Sequence, residues 1–219
     1  MTSRIKLLLW CGILSSLLYA AMNVFIAGQW EDYNSRSMTV SELSAIDAPT
    51  RAIWVPWGFV YTLLMAVFGW GVRAVAQGRR LRIAGGFLMA YGITGLAWPL
   101  FPMHLREALA AGGATWTDTM HLVFTSFIVL LMVLAMGFGA AALDKPFRIY
   151  TIVTILLLAT FGGLTGAGAA DVEANASTPW IGVYERINTG VFLLWVMVLA
   201  IKLLHRPTPP LDTSHRAPA

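Results

Sequence analysis

Apolar residues in this chain run in long blocks instead of alternating at the period of an amphipathic helix or strand. Six blocks, near residues 5–27, 53–76, 83–101, 118–143, 149–169 and 182–204, each approach the length that a helix needs to cross hydrocarbon, about 20 residues. None shows the period-two alternation of a membrane barrel, whose strands are about half as long. In lipid the backbone must satisfy its own polar groups, and a helix does so within one segment. The pattern therefore predicts an all-α fold, a polytopic membrane bundle of six transmembrane helices formed by residues 1–205. The tail, 206–219, holds four prolines and no apolar run, which predicts disorder. The first block is longer than the roughly 7–15 apolar residues of a secretory leader, so it reads as an uncleaved helix.

Composition agrees with the blocks. Of 219 residues, 58% are hydrophobic and 12% charged, where soluble domains carry about 25% charge. Too little polar surface is left for a soluble enzyme or a nucleic-acid module, although the net charge is +4. Basic residues next to span ends set orientation. Eleven of the fifteen, among them Arg4, Lys6, Arg73, Arg79, Arg80 and Arg82, fall on one side of the six spans, and nine of the eleven acidic residues fall on the other. Both termini are therefore expected in the cytoplasm of a cell whose inner or plasma membrane holds the protein. The lone Cys11 has no intramolecular disulfide partner.

The outer connections, residues 28–52, 102–117 and 170–181, are longer and more polar than the inner turns, and binding residues concentrate on such segments. In the first, either Ser44 or Asp47 caps a short interfacial turn, or the segment is a lid whose Glu42 or Asp47 dips between the helices. The third span ends Trp98-Pro99-Leu100-Phe101-Pro102-Met103-His104. Its two prolines break the helix and hold His104 on irregular backbone. The fourth opens with Asp118 and His121 at i and i+3, a spacing that puts them on one face. Asp118 is either a first-turn acid favoured by the helix dipole or the group that orients His121. An ionisable residue inside a span, as His121 is, is a functional candidate by default. The sixth span opens with Glu185, Arg186, Asn188 and Thr189. There Glu185 either bonds a neighbouring helix or points toward His121 and His104, and Arg186 either snorkels or clamps an anionic group. Asn23, in the outer part of the first span, is interhelical glue or a ligand contact.

Ser41-Glu42-Leu43-Ser44 through Pro49-Thr50-Arg51, Phe101-Pro102-Met103-His104, the His121 helix and Glu185-Arg186-Ile187 together resemble the membrane family catalogued as domain of unknown function 998. The resemblance implies a six-helix integral membrane protein and carries no activity with it.

Three functions compete. In the first, an outer-leaflet polar pocket binds an amphiphilic or lipid ligand and transforms it. His121, Glu185 and Asp118 are its candidate catalytic groups, and Arg186, Asn188, Asn23 and Asp47 its candidate ligand contacts. His104, His121 and Asp118 are nitrogen and oxygen donors of the kind zinc accepts at about 2.0–2.2 Å, and zinc would lower the pKa of a bound water. Without metal, the same groups suit acid–base chemistry. The H-E-x-x-H spacing of zinc proteases is absent. The second function is b-type haem electron transfer with His104 and His121 as axial ligands. The third is non-catalytic binding or proton sensing, since histidine titrates near pH 6.5. Membrane lipid is the expected partner and nucleic acid is not.

Overall fold

The computed structural model describes residues 1–206. Six long helices account for most of them: α1 (Ser3–Phe25), α2 (Arg51–Ala74), α3 (Arg79–Gly95), α4 (Trp116–Ala142), α5 (Lys145–Ala167) and α6 (Ile181–Leu204). No strand occurs among the described residues, only one isolated parallel bridge between Ile46 and His104. The predicted tail falls outside them apart from Arg206. Consecutive helices pack as antiparallel neighbours, and α6 returns against α1, so the six close into a ring.

Five helical stretches are long and apolar enough to cross a membrane: Ser3–Gln29, Arg51–Ala74, Trp116–Ala142, Lys145–Glu173 and Ile181–Leu204. The third expected span, 83–101, is corrected. Its helix starts earlier, at Arg79, and stops at Gly95, giving 17 residues. At 1.5 Å per residue these cover about 26 Å, short of a layer about 30 Å thick. Pro99 sits in the separate turn Trp98–Leu100, where its missing N–H costs no helical bond.

The surface is apolar where a soluble protein would be polar. Leu7 is 67% exposed, Trp70 63% and Leu156 61%, while Trp195, Phe68, Phe192 and Met136 are completely enclosed. Such an exposed apolar belt is what a lipid-facing bundle presents. Of the α5 span only 11% is buried against 44% of α6, so α6 is the inner helix and α5 the peripheral one.

Glycines bring α2 and α3 into backbone contact. A Cβ on Gly92 would lie 2.6 Å from the Thr62 carbonyl oxygen and 2.8 Å from Ala66 Cα, and one on Gly69 would lie 2.8 Å from the Gly85 carbonyl oxygen. Small residues permit this approach where hydrocarbon gives no hydrophobic drive between helices. The pairs Thr62–Gly92, Gly69–Gly85 and Arg73–Gly85 run antiparallel along the seam, and this seam holds the shorter helix in the bundle. Polar bonds inside the ring add to it. Tyr61 and Tyr91 share a hydroxyl hydrogen bond of 2.7 Å, Trp195 Nε1 donates to Thr151 Oγ1 at 2.9 Å, and Ser16 Oγ donates to the Leu193 carbonyl at 3.0 Å.

Candidate functional site

The three longer connections at one end of the ring are woven into a single cap. Its centre is Glu42, whose side chain is completely buried. Thr39 N–H and Thr39 Oγ1 donate to Glu42 Oε2 at 2.6 and 2.9 Å, and the Glu42 N–H donates back to Thr39 Oγ1 at 3.2 Å. This reciprocal pair is a capping box, which the sequence Thr39-x-x-Glu42 spells out. From the second connection, Arg106 closes on the same carboxylate with Nε to Oε1 at 2.8 Å and Nη2 to Oε2 at 2.9 Å. A two-pronged fork of this kind suits a desolvated carboxylate. That carboxylate raises the Arg106 pKa above its ordinary value, chiefly through the hydrogen bond, so the guanidinium stays charged. Arg106 Nη1 also donates to Thr178 Oγ1 at 3.1 Å, and Thr178 donates to the Ser37 carbonyl at 2.8 Å. That ties in the third connection. Inspection of span ends does not reveal Arg106 or Thr178 as partners, because their contacts link segments 64 and 141 residues apart.

The opening of α6 grips the cap from below. Glu185 accepts from the Val40 N–H at 2.5 Å and from Ser41 Oγ at 3.1 Å. Both carboxylate oxygens therefore serve the turn Ser41–Ser44, and the reading in which Glu185 points toward His121 and His104 is corrected. Arg186 donates to the carbonyls of Ser35 (2.8 Å), Gly182 (3.0 Å) and Met38 (3.3 Å) and to the Tyr33 hydroxyl (2.7 Å). A guanidinium engaged by four acceptors holds a loop, and is not poised to clamp a ligand. Burial raises the Tyr33 pKa against the lowering effect of Arg186, so the phenol stays protonated and donates to the Thr39 carbonyl at 2.7 Å.

The remaining candidates sit apart from one another. Asp47 is exposed and in the left-handed backbone region, φ +65°, so the lid carries Glu42 inward and leaves Asp47 outside. Asn188 Nδ2 donates to the Leu158 carbonyl at 2.6 Å in a space that Gly162 leaves open, which makes it a stitch between α5 and α6. Asn23 Nδ2 donates to the Tyr19 carbonyl at 3.1 Å, and its Oδ1 is buried without a partner.

Asp118 is the third residue of a capping box with Thr115, whose N–H it accepts at 2.8 Å. It does not orient His121. It accepts instead from the His104 backbone N–H at 2.7 Å and from His104 Nδ1 at 2.9 Å. The Ile46 N–H donates to the Met103 carbonyl at 2.8 Å and steadies the backbone just before His104. His121 is buried beside Trp98, with ring centroids 5.1 Å apart, and its Nδ1 donates to the Phe101 carbonyl at 2.9 Å. The expected metal set of His104, His121 and Asp118 is thus not assembled, because His104 and Asp118 are bonded to each other while His121 turns to the Phe101 carbonyl. No cluster of three His, Cys, Asp or Glu able to hold a metal occurs among the described residues.

A family model described as "Protein of unknown function (DUF998)" matches residues 13–202. The chain belongs to this family. The match runs from the middle of α1 to the last turns of α6, so the DUF998 chain carries the cap and its anchoring helices inside the family region. No curated protein and no solved structure matches the DUF998 chain.

Proposed function

We propose that this protein spans the inner or plasma membrane six times with both termini cytoplasmic. Its capped outer face then binds an amphiphilic molecule at headgroup depth and exchanges a proton with it through His104. The charge asymmetry of the sequence and the long, interlocked connections at one end of the bundle support the orientation. The backbone seam with α2 supports α3 as the sixth span despite its length, since a short helix is accommodated by local thinning of the bilayer.

The observation that carries the functional reading is the His104–Asp118 pair. Asp118 accepts both the backbone N–H and the Nδ1–H of one residue, which fixes the ring and its tautomer and leaves Nε2 as the lone-pair nitrogen. The His104 side chain is 19% exposed, while Glu42, Glu185 and Arg186 are engaged within the protein. A carboxylate-held imidazole with one free nitrogen is a unit for moving a proton. It favours acid–base chemistry over the metal-assisted hydrolysis that the residue types also allow.

The test is to extract the protein with its surrounding lipid into native nanodiscs and identify the amphiphile that co-purifies. His104→Gln is expected to deplete one species at least about tenfold, the scale of a lost charge-assisted bond, while the melting temperature holds. Asp118→Asn is expected to deplete the same species and also to lower the melting temperature, because it opens the Thr115 capping box. An unchanged lipid complement in both variants overturns the reading.

A further inference from the structure

The end of the bundle opposite the cap carries a second cluster of polar groups. Arg73 in the last turn of α2 and Arg79 and Arg82 in the first turn of α3 line one depression, together with Gln77, Gly78 and Ile83. Gly85 and Gly86 let the Arg73 side chain lie against α3. Its Cγ is 2.8 Å from the place a Cβ on Gly85 would take, and its Nη1 is 3.1 Å from that of Gly86.

Three guanidinium groups around one depression repel each other unless an anion joins them. Among the described residues the ion pairs are His104–Asp118, Arg106–Glu42 and Lys202–Asp144, so none of the three arginines has a carboxylate partner. Among the described residues the one acidic residue at this end, Asp144, is held by Lys202 at 2.8 Å. The backbone contributes as well. Gly78 precedes α3 in extended conformation with no side-chain cap, which leaves first-turn N–H groups without a side-chain acceptor at the positive end of the helix dipole. Trp70, 63% exposed and one turn deeper on α2, is the kind of residue that marks the membrane interface. It puts the depression at headgroup depth.

We propose that this depression is a binding site for a phosphate group, which the arginine forks grip through its oxygens and the start of α3 receives at its N–H groups. The phosphate can reach it on an anionic phospholipid headgroup or as a soluble ion. The site is independent of His104 and of the proton chemistry proposed for the cap.

Native mass spectrometry and thermal unfolding in nanodiscs test it. One arm uses phosphatidylcholine with phosphatidylglycerol, the other pure phosphatidylcholine with added inorganic phosphate. The wild type is expected to retain phosphatidylglycerol at least about tenfold better than R73Q/R79Q/R82Q, given the charge-assisted bonds that converging guanidinium forks make to one phosphate. R4Q/K6Q/K145Q, which removes the same charge elsewhere at this end, is expected to retain it as the wild type does. Stabilisation by inorganic phosphate, lost in the site variant, assigns the soluble source instead. The single variant R79Q, about threefold weaker, keeps the test open if the triple variant does not fold. Equal losses in both triple variants, or no loss in R79Q and R73Q/R79Q/R82Q, overturn the site.

Discussion

Replacing Arg106 by alanine removes both prongs of the fork on Glu42. Oε2 keeps its two donors from Thr39 at 2.6 and 2.9 Å, and Oε1 loses its 2.8 Å bond to Arg106 Nε. In the intact cap the carboxylate is fully enclosed with Arg106 as its cation. Breaking a buried pair from one side costs about 3–5 kcal/mol, because the surviving charge is left uncompensated. For a chain of this length that corresponds to a melting temperature lower by roughly 6–20 °C. Thermal unfolding in detergent of wild type, Arg106→Ala, Glu42→Gln and the double variant measures it as a cycle. The double variant is expected to lose less than the two single losses together, by about 1–3 kcal/mol. Hydrogen exchange over residues 37–45 is expected to rise in Arg106→Ala, since Ser37 and Thr178 are tied to the same guanidinium. A melting temperature within about 1 °C of wild type, with unchanged exchange, refutes the view that this pair locks the cap.

Two further outcomes are expected. Gly92→Ala drives a methyl group into the backbone of α2 near Thr62 and Ala66 and should destabilise by about 1–3 kcal/mol. Gly137→Ala, which meets open space, should be neutral or stabilising by up to about 1 kcal/mol, and equal effects of the two on thermal unfolding would remove the case for a backbone seam. The hydrogen bond from Lys202 lowers the Asp144 pKa from its ordinary 3.8. Its contribution to stability is therefore full above that value and disappears as the pH falls through the lower, folded one. The melting-temperature gap between wild type and Asp144→Asn should accordingly be constant from neutral pH down to about 5 and close below 3.8, and a gap that widens in acid contradicts the pairing.

Periodicity and composition were sufficient for the all-helical membrane class, because crossing hydrocarbon imposes a length and an apolar content that few other demands reproduce. They also located the polar connections at one end and the family, while the third helix ends at Gly95, ahead of the break expected from Pro99 and Pro102. Of the local motifs, Asp118 was legible as a first-turn acid, and the structure adds the Thr115 and Thr39 partners that make its box and that of Glu42. The partners of the charged residues were decided by tertiary structure alone. Asp118 meets His104 and not His121, Glu185 meets Val40 and Ser41, and Glu42 meets Arg106, across as many as 145 residues of chain. Each carboxylate had several donors within plausible reach along the sequence. Only the folding of the three connections over the helix ends determines which donor is desolvated beside it, and in a buried setting that proximity outweighs every other preference.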